Sequence, residues 1–280
     1  AYRKFRREKY EESLVLYNNI LETYPEHTNA WFGKALVLEA MGKLEDALKF
    51  YDKTLEQDPK YFGAWYNRGN TLVKLERFSE ALKSYDAALN LDPEHFGAWY
   101  NRGNTLVKLE RFSEALDSYD EALKLDPKNV EALYNRGYTL AYLERFSEAL
   151  DSYDEALKLD PKNVEALYNR GYTLAYLERF SEALDSYDEA LKLDPKNAEL
   201  WYNRAKTFEN LDKPQEAIES YDESLRIDLN FVDAWYRRGM VMVSLGKDQE
   251  ALECFDKALE LNPDFKPALK AKKDISNEKS

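Results

Sequence analysis

The chain has 280 residues, of which 33% are charged and 44% hydrophobic, and its formal net charge is −13. That negative balance argues against broad association with nucleic-acid backbones, and no apolar run approaches the roughly 18 residues of a membrane span. Cys254 is the single cysteine, so no intramolecular disulfide can form; a cytoplasmic protein with Cys254 in its core is expected.

In chain order, residues 1–27 read as most of one two-helix repeat. The sequence opens at Ala1 partway through a first helix, so a fragment of a longer protein is expected. Full 34-residue repeats follow at 28–61, 62–95, 96–129, 130–163, 164–197, 198–231 and 232–265, and residues 266–280 form a last polar helix. Residues 130–163 and 164–197 are the same string. Residues 62–95 and 96–129 differ at five positions, and the 21 residues 109–129 return unchanged at 143–163. Each helix is about 13 residues, or 20 Å at 1.5 Å per residue. No strand pattern is visible, and Ser79, Ser113, Ser147 and Ser181 are expected to cap the second helices. Contacts in such an array run between near neighbours, so 1–280 is expected to be one elongated domain.

Counted within a repeat, position four is Trp or Leu (Trp31, Trp65, Trp99, Leu133, Leu167, Trp201, Trp235), and position eight is Gly or Ala. Position twenty is always Ala, from Ala47 to Ala251, and position twenty-four is Tyr or Phe, from Tyr51 to Phe255. Small residues at eight and twenty let the two helices approach, and the aromatic rings fill the space around them. Pro59, Pro93, Pro127, Pro161, Pro195 and Pro263 close repeats. The pattern resembles the tetratricopeptide repeat (TPR) over essentially the whole chain, with two departures: Leu229 stands where the closing proline is expected, and arginine replaces the family's usual leucine at position seven. The resemblance implies an all-α, right-handed superhelical solenoid of helix-turn-helix repeats whose first helices line a concave face.

The exposed positions of that face are two, five, six, nine, twelve and thirteen. Position six is Asn in five successive repeats, Asn67, Asn101, Asn135, Asn169 and Asn203, bounded by Gly33 and Arg237. An amide can pair with both groups of an extended peptide main chain, and in some family members asparagines at this position hold peptide backbones. The rival reading pairs each Asn with a neighbouring helix. Asn in a helix interior costs about half a kcal/mol against Ala, so five require some compensating role. Position nine varies: Asn70 and Asn104, then Tyr138 and Tyr172, then Lys206. Helical spacing sets Tyr138 beside Tyr142, and Tyr172 beside Tyr176, as candidate contacts for aromatic, proline-rich or cationic side chains. Arg68, Arg102, Arg136, Arg170, Arg204 and Arg238 at position seven are expected to pair with aspartates at position twenty-five.

Family members that clamp acidic chaperone tails carry Lys at position five. Here position five is aromatic throughout and position two becomes acidic from Glu131 onward, so a neutral or basic segment is favoured. His27 and His95 have no metal-ligand spacing, glycines form no phosphate-cradling loop, and nothing reads as an active site. The expectation is therefore a non-enzymatic scaffold, without cofactor, metal, nucleic acid or membrane, that binds an extended peptide or disordered segment. About ten amide bonds at a net 0.5–1.5 kcal/mol each, set against association costs of about 4–15 kcal/mol, imply micromolar affinity at best from the asparagines alone. Alternatives are the targeting or regulatory arm of a larger enzyme, or a repeat-expanded or designed scaffold with no dedicated ligand. The basic ends, with Arg3, Lys4, Arg6 and Arg7 at one and Lys266, Lys270, Lys272 and Lys273 at the other, read as terminal helices, and end-to-end self-association is a further possibility.

Overall fold

The computed structural model describes residues 9–278; Arg3, Lys4, Arg6 and Arg7 lie outside them. Sixteen helices and no strand occur among the described residues. They are α1 (Tyr10–Thr23), α2 (Thr28–Ala40), α3 (Leu44–Gln57), α4 (Phe62–Lys74), α5 (Phe78–Leu91), α6 (Phe96–Lys108), α7 (Phe112–Leu125) and α8 (Val130–Tyr142) in a first compact unit ending at Glu144. A second unit begins at Arg145 and holds α9 (Phe146–Leu159), α10 (Val164–Tyr176), α11 (Phe180–Leu193), α12 (Ala198–Asn210), α13 (Pro214–Ile227), α14 (Val232–Ser244), α15 (Asp248–Leu261) and α16 (Lys266–Glu278). No helix among the described residues is long and apolar enough to cross a membrane.

Local chemistry explains the helix ends. In five places the residue closing one repeat caps the first helix of the next: Asn129, Asn163 and Asn197 accept from backbone N–H groups, and His27 and His95 do so through Nδ1 at 3.2 and 3.1 Å, whereas Tyr61 and Phe231 make no such bond. The expected serine caps are not formed. The second helices start at Phe78, Phe112, Phe146 and Phe180, one residue ahead of each serine, with Arg77, Arg111, Arg145 and Arg179 in the cap position and no side-chain cap bond. The cause is the tight exit from the first helix. Arg77 N–H donates to Leu72 O and Glu76 N–H to Val73 O, a Schellman turn that leads the chain straight into α5. That turn needs a left-handed residue, and Glu76, Glu110, Glu144, Glu178 and Asp212 adopt it at φ 54–59°, where Gly42 and Gly246 stand in other repeats.

Within a repeat, the ring at position twenty-four fills the seam between the helices. Tyr51, Tyr85, Tyr119, Tyr153, Tyr187, Tyr221 and Phe255 are all fully buried. A Cβ on Gly69 would stand 2.6 Å from Tyr85 Cε1, and one on Gly103 2.7 Å from Tyr119 Cε1, so glycine there is a packing requirement. Where position four is Trp, its indole donates to the carbonyl that closes the preceding repeat, as Trp99 does to Pro93 at 2.8 Å. Leu229 fills this role as well as a proline, because only its carbonyl is used, by Trp235 at 2.9 Å.

The arginines at position seven join successive repeats. Arg68 Nε donates to Asp52 at 2.7 Å and its Nη1 to Ser84 at 2.7 Å; Arg102 joins Asp86 and Ser118, and Arg170 and Arg204 do the same in the second unit. Arg136 pairs with Asp120, and Arg238 with Asp222. Cys254 takes the serine's place in the last full repeat, buried and accepting from Arg238 Nη1 at 2.9 Å. Burial raises its thiol pKa, with Arg238 opposing. Helix α16 closes the second unit by burying Ala268 and Ile275 against a cluster that includes Phe255 and Ala258.

Candidate functional site

In the first unit, α4 and α6 build an amide-lined floor. Asn101 Nδ2 donates to Asn70 Oδ1 at 2.9 Å and to Tyr66 Oη at 3.2 Å, and Asn70 Oδ1 also accepts from buried Tyr85 at 2.8 Å. One repeat later Asn135 donates to Asn104 at 3.2 Å and to Tyr100 at 3.0 Å, and Asn104 accepts from Tyr119 at 2.7 Å. The amide nitrogens of Asn101 and Asn135 thus follow the rival reading and fix repeat to repeat. Their Oδ1 atoms accept no hydrogen bond among the described residues. Asn67 differs because position nine of the preceding repeat is Leu36, which offers no acceptor; its amide turns back to Gly63 O at 2.7 Å.

Asn70, Asn101 and Asn104 border a cleft of about 360 Å³ with Glu39, Lys74 and Lys108. Glu39 accepts from Tyr51 Oη at 2.5 Å and pairs with Lys74 at 2.8 Å. Further along the same unit, Tyr138 is 39% and Tyr142 60% exposed. The Tyr142 ring stacks on Phe112 at 4.1 Å, so one face of it is occupied by protein and the other is open.

The second unit has a different lining. Tyr172 and Tyr176 are exposed, and Tyr176 rests on Phe146 at 4.4 Å. With Asn203, Lys206 and Asn210 they line a small cleft of about 160 Å³. Asn203 is buried and donates to Glu199 O at 3.0 Å and to Tyr168 Oη at 3.3 Å, and Asn169 donates to Glu165 O at 2.8 Å. Lys206 lies over the Tyr202 ring at 5.4 Å; burial, then nearby Arg237, lowers its pKa. A neighbouring cleft of about 410 Å³ is bordered by Glu209, Tyr236, Arg237 and Met240. Burial pushes the Glu209 carboxyl above the usual glutamate range, opposed by the Tyr221 hydroxyl that bonds it and by Arg237 at 3.7 Å.

Tyr172, Tyr176 and the half-buried Lys206 are brought to a cleft, Tyr138 and Tyr142 are exposed on α8 without bordering one of these clefts, and the asparagines are largely engaged in the fold. Sequence reasoning passed over Glu39, Lys74, Lys108 and Glu209, although positions twelve and thirteen lie on the same stripe. Among the described residues no group of three or more His, Cys, Asp or Glu could hold a metal ion.

Models of the tetratricopeptide repeat match residues 1–62, 66–130, 100–164, 134–198, 168–230 and 232–265. Comparison with curated proteins gives no match. Among solved structures, YrrB, described as a TPR protein with an unusual peptide-binding site, is 27% identical, with TM-score 0.51 over 80% of this chain and 97% of its own. MamA is also 27% identical, with TM-score 0.56 over 57% of this chain and 94% of its own. The C-terminal part of a TPR repeat-containing protein from Cytophaga hutchinsonii shares the fold at 16% identity, with TM-score 0.75 over 86% of this chain and 98% of its own. With model matches running in tandem along nearly the whole sequence, the chain belongs to the tetratricopeptide repeat family.

Proposed function

We propose that this protein is a non-catalytic scaffold that holds an extended peptide or disordered segment along the face built by its first helices. A tetratricopeptide array is in general a protein-interaction scaffold, and the similar YrrB is described as having a peptide-binding site. The observation that carries the reading is the set of four tyrosines, Tyr138, Tyr142, Tyr172 and Tyr176, 39–61% exposed on first helices. Tyrosine gives large contact area at little rotamer cost, and two of these rings are already steadied by Phe112 and Phe146. Exposed Glu165, Glu199 and Asp233 on the second unit favour a neutral or basic stretch there. The open Oδ1 atoms of Asn101 and Asn135 supply acceptors for ligand N–H groups, a smaller share than five free amides would give.

The test is selection from a random nonapeptide display library on the parent and on a Tyr172→Ala, Tyr176→Ala double variant, with melting recorded for both. A shared motif whose affinity falls about tenfold in the still-folded variant supports the peptide reading, in line with aromatic hot spots of 1–2 kcal/mol or more. Enrichment of no motif favours an array expanded by copying, which the identical repeats 130–163 and 164–197 suggest.

A further inference from the structure

The first unit seats one carboxylate in its cleft and leaves the equivalent place empty of charge one repeat later. Glu39, at position twelve of its repeat, is nearly buried at 12% side-chain exposure and lies 2.8 Å from Lys74, at position thirteen of the next. Lys108 is position thirteen of the following repeat, and the residue standing to it as Glu39 stands to Lys74 is Val73. Val73, Lys108, Asn104 and Glu39 border the same cleft. Lys108 is exposed and has no ion-pair partner among the described residues. Glu131, an acid at position two, stands on α8 at the opposite end of a first helix from position thirteen, an offset of about 16 Å along a helix axis at 1.5 Å per residue. Position two is Gly63 and Gly97 in the intervening repeats, so no acid of theirs competes for the ammonium.

We infer that the cleft bounded by Val73, Asn104 and Lys108 receives an Asp or Glu side chain of an extended peptide ligand, which pairs with Lys108 as Glu39 pairs with Lys74. This rests on the peptide reading above and names the ligand chemistry at one place in it. The ligand carboxylate sits against the apolar Val73, within a cleft that limits its contact with water, and its charge is met by Lys108.

The experiment repeats the nonapeptide selection with Lys108→Ala and Lys108→Glu variants beside the parent. The parent motif is expected to carry Asp or Glu at one fixed position. Lys108→Ala lowers affinity for that peptide by up to about fivefold, the range of a partly exposed ion pair. Lys108→Glu replaces the acid with Lys or Arg and leaves the other motif positions unchanged. A parent motif without an acidic position, or one that Lys108→Glu leaves intact, overturns the assignment and keeps the peptide reading. No motif on any of the three chains overturns both. Lys108 is exposed, so neither substitution disturbs the packed seam, and a melting curve on each variant verifies this.

Discussion

Repeats 28–61 and 198–231, with alanine at position eight, and repeats 62–95 and 96–129, with glycine there, dispose of the same buried tyrosine hydroxyl in different ways. In 62–95 and 96–129, Gly69 and Gly103 let the ring lie against the helix, and the hydroxyl ends on an amide, Asn70 or Asn104. In 28–61 and 198–231, Ala35 and Ala205 add a methyl where those rings would pass, and the hydroxyl ends on a carboxylate, Glu39 or Glu209. One methyl group in the core thus accompanies a change from a neutral groove floor to a charged one. In these four repeats the residue at position eight and the acceptor of the tyrosine hydroxyl change together.

Removing the hydroxyl tests how different the two arrangements are. Tyr221→Phe strips a donor from the half-buried Glu209 carboxylate and is expected to cost about 1.5–3 kcal/mol, whereas Tyr85→Phe strips one from an amide and should cost about 1 kcal/mol. Equal losses in urea titrations would dissolve the distinction. Converting one class into the other is the next test. Gly69→Ala places a methyl 2.6 Å from Tyr85 Cε1, a clash of about 1–3 kcal/mol partly offset by the roughly 1 kcal/mol that Ala gains over Gly in a helix. Adding Val73→Glu supplies the acceptor that Tyr51 finds in Glu39 and should return about 1 kcal/mol; no recovery means that the methyl and the carboxylate are independent.

The smallest effect lies in pH. Burial raises the Glu209 pKa in the folded chain above its unfolded value, so the folded state holds that proton more tightly. The resulting contribution to stability is present below the usual glutamate range and is lost as pH rises through the raised folded value. Glu209→Gln is expected to flatten the dependence of Tm on pH from the ordinary glutamate value upward. A slope unchanged by the substitution would show that the carboxyl is not held away from water.

The repeat pattern was legible because a 34-residue period with fixed small and aromatic positions allows few packings, and Gly69 against Tyr85 follows directly from it. The arginine–aspartate pairs were legible for the same reason. The asparagines were legible as a row, but their partners were not, because the outcome depends on position nine of the preceding repeat. Asn101 finds Asn70 and donates across, whereas Asn67 meets Leu36 and folds back on its own helix. The serine caps misled because Ser79 has the composition of a cap, while the Schellman turn at Glu76 decides where the helix begins. Glu39 and Lys74 escaped notice because their pairing joins two repeats of unlike sequence.

The arginine staple has a consequence for how such a chain can grow. The guanidiniums of Arg68, Arg102, Arg170, Arg204 and Arg238 each take a carboxylate from the repeat before and a hydroxyl, or for Arg238 a thiol, from their own. A segment copied in steps of 34 residues, wherever its boundary falls, presents the same aspartate to the same arginine at its new junction. Copying by any other length leaves an acid and a guanidinium facing unsuitable neighbours. Lengthening the array is therefore neutral for its charge pairing only in whole periods, and the two identical strings at 130–197 are a duplication of that permitted kind.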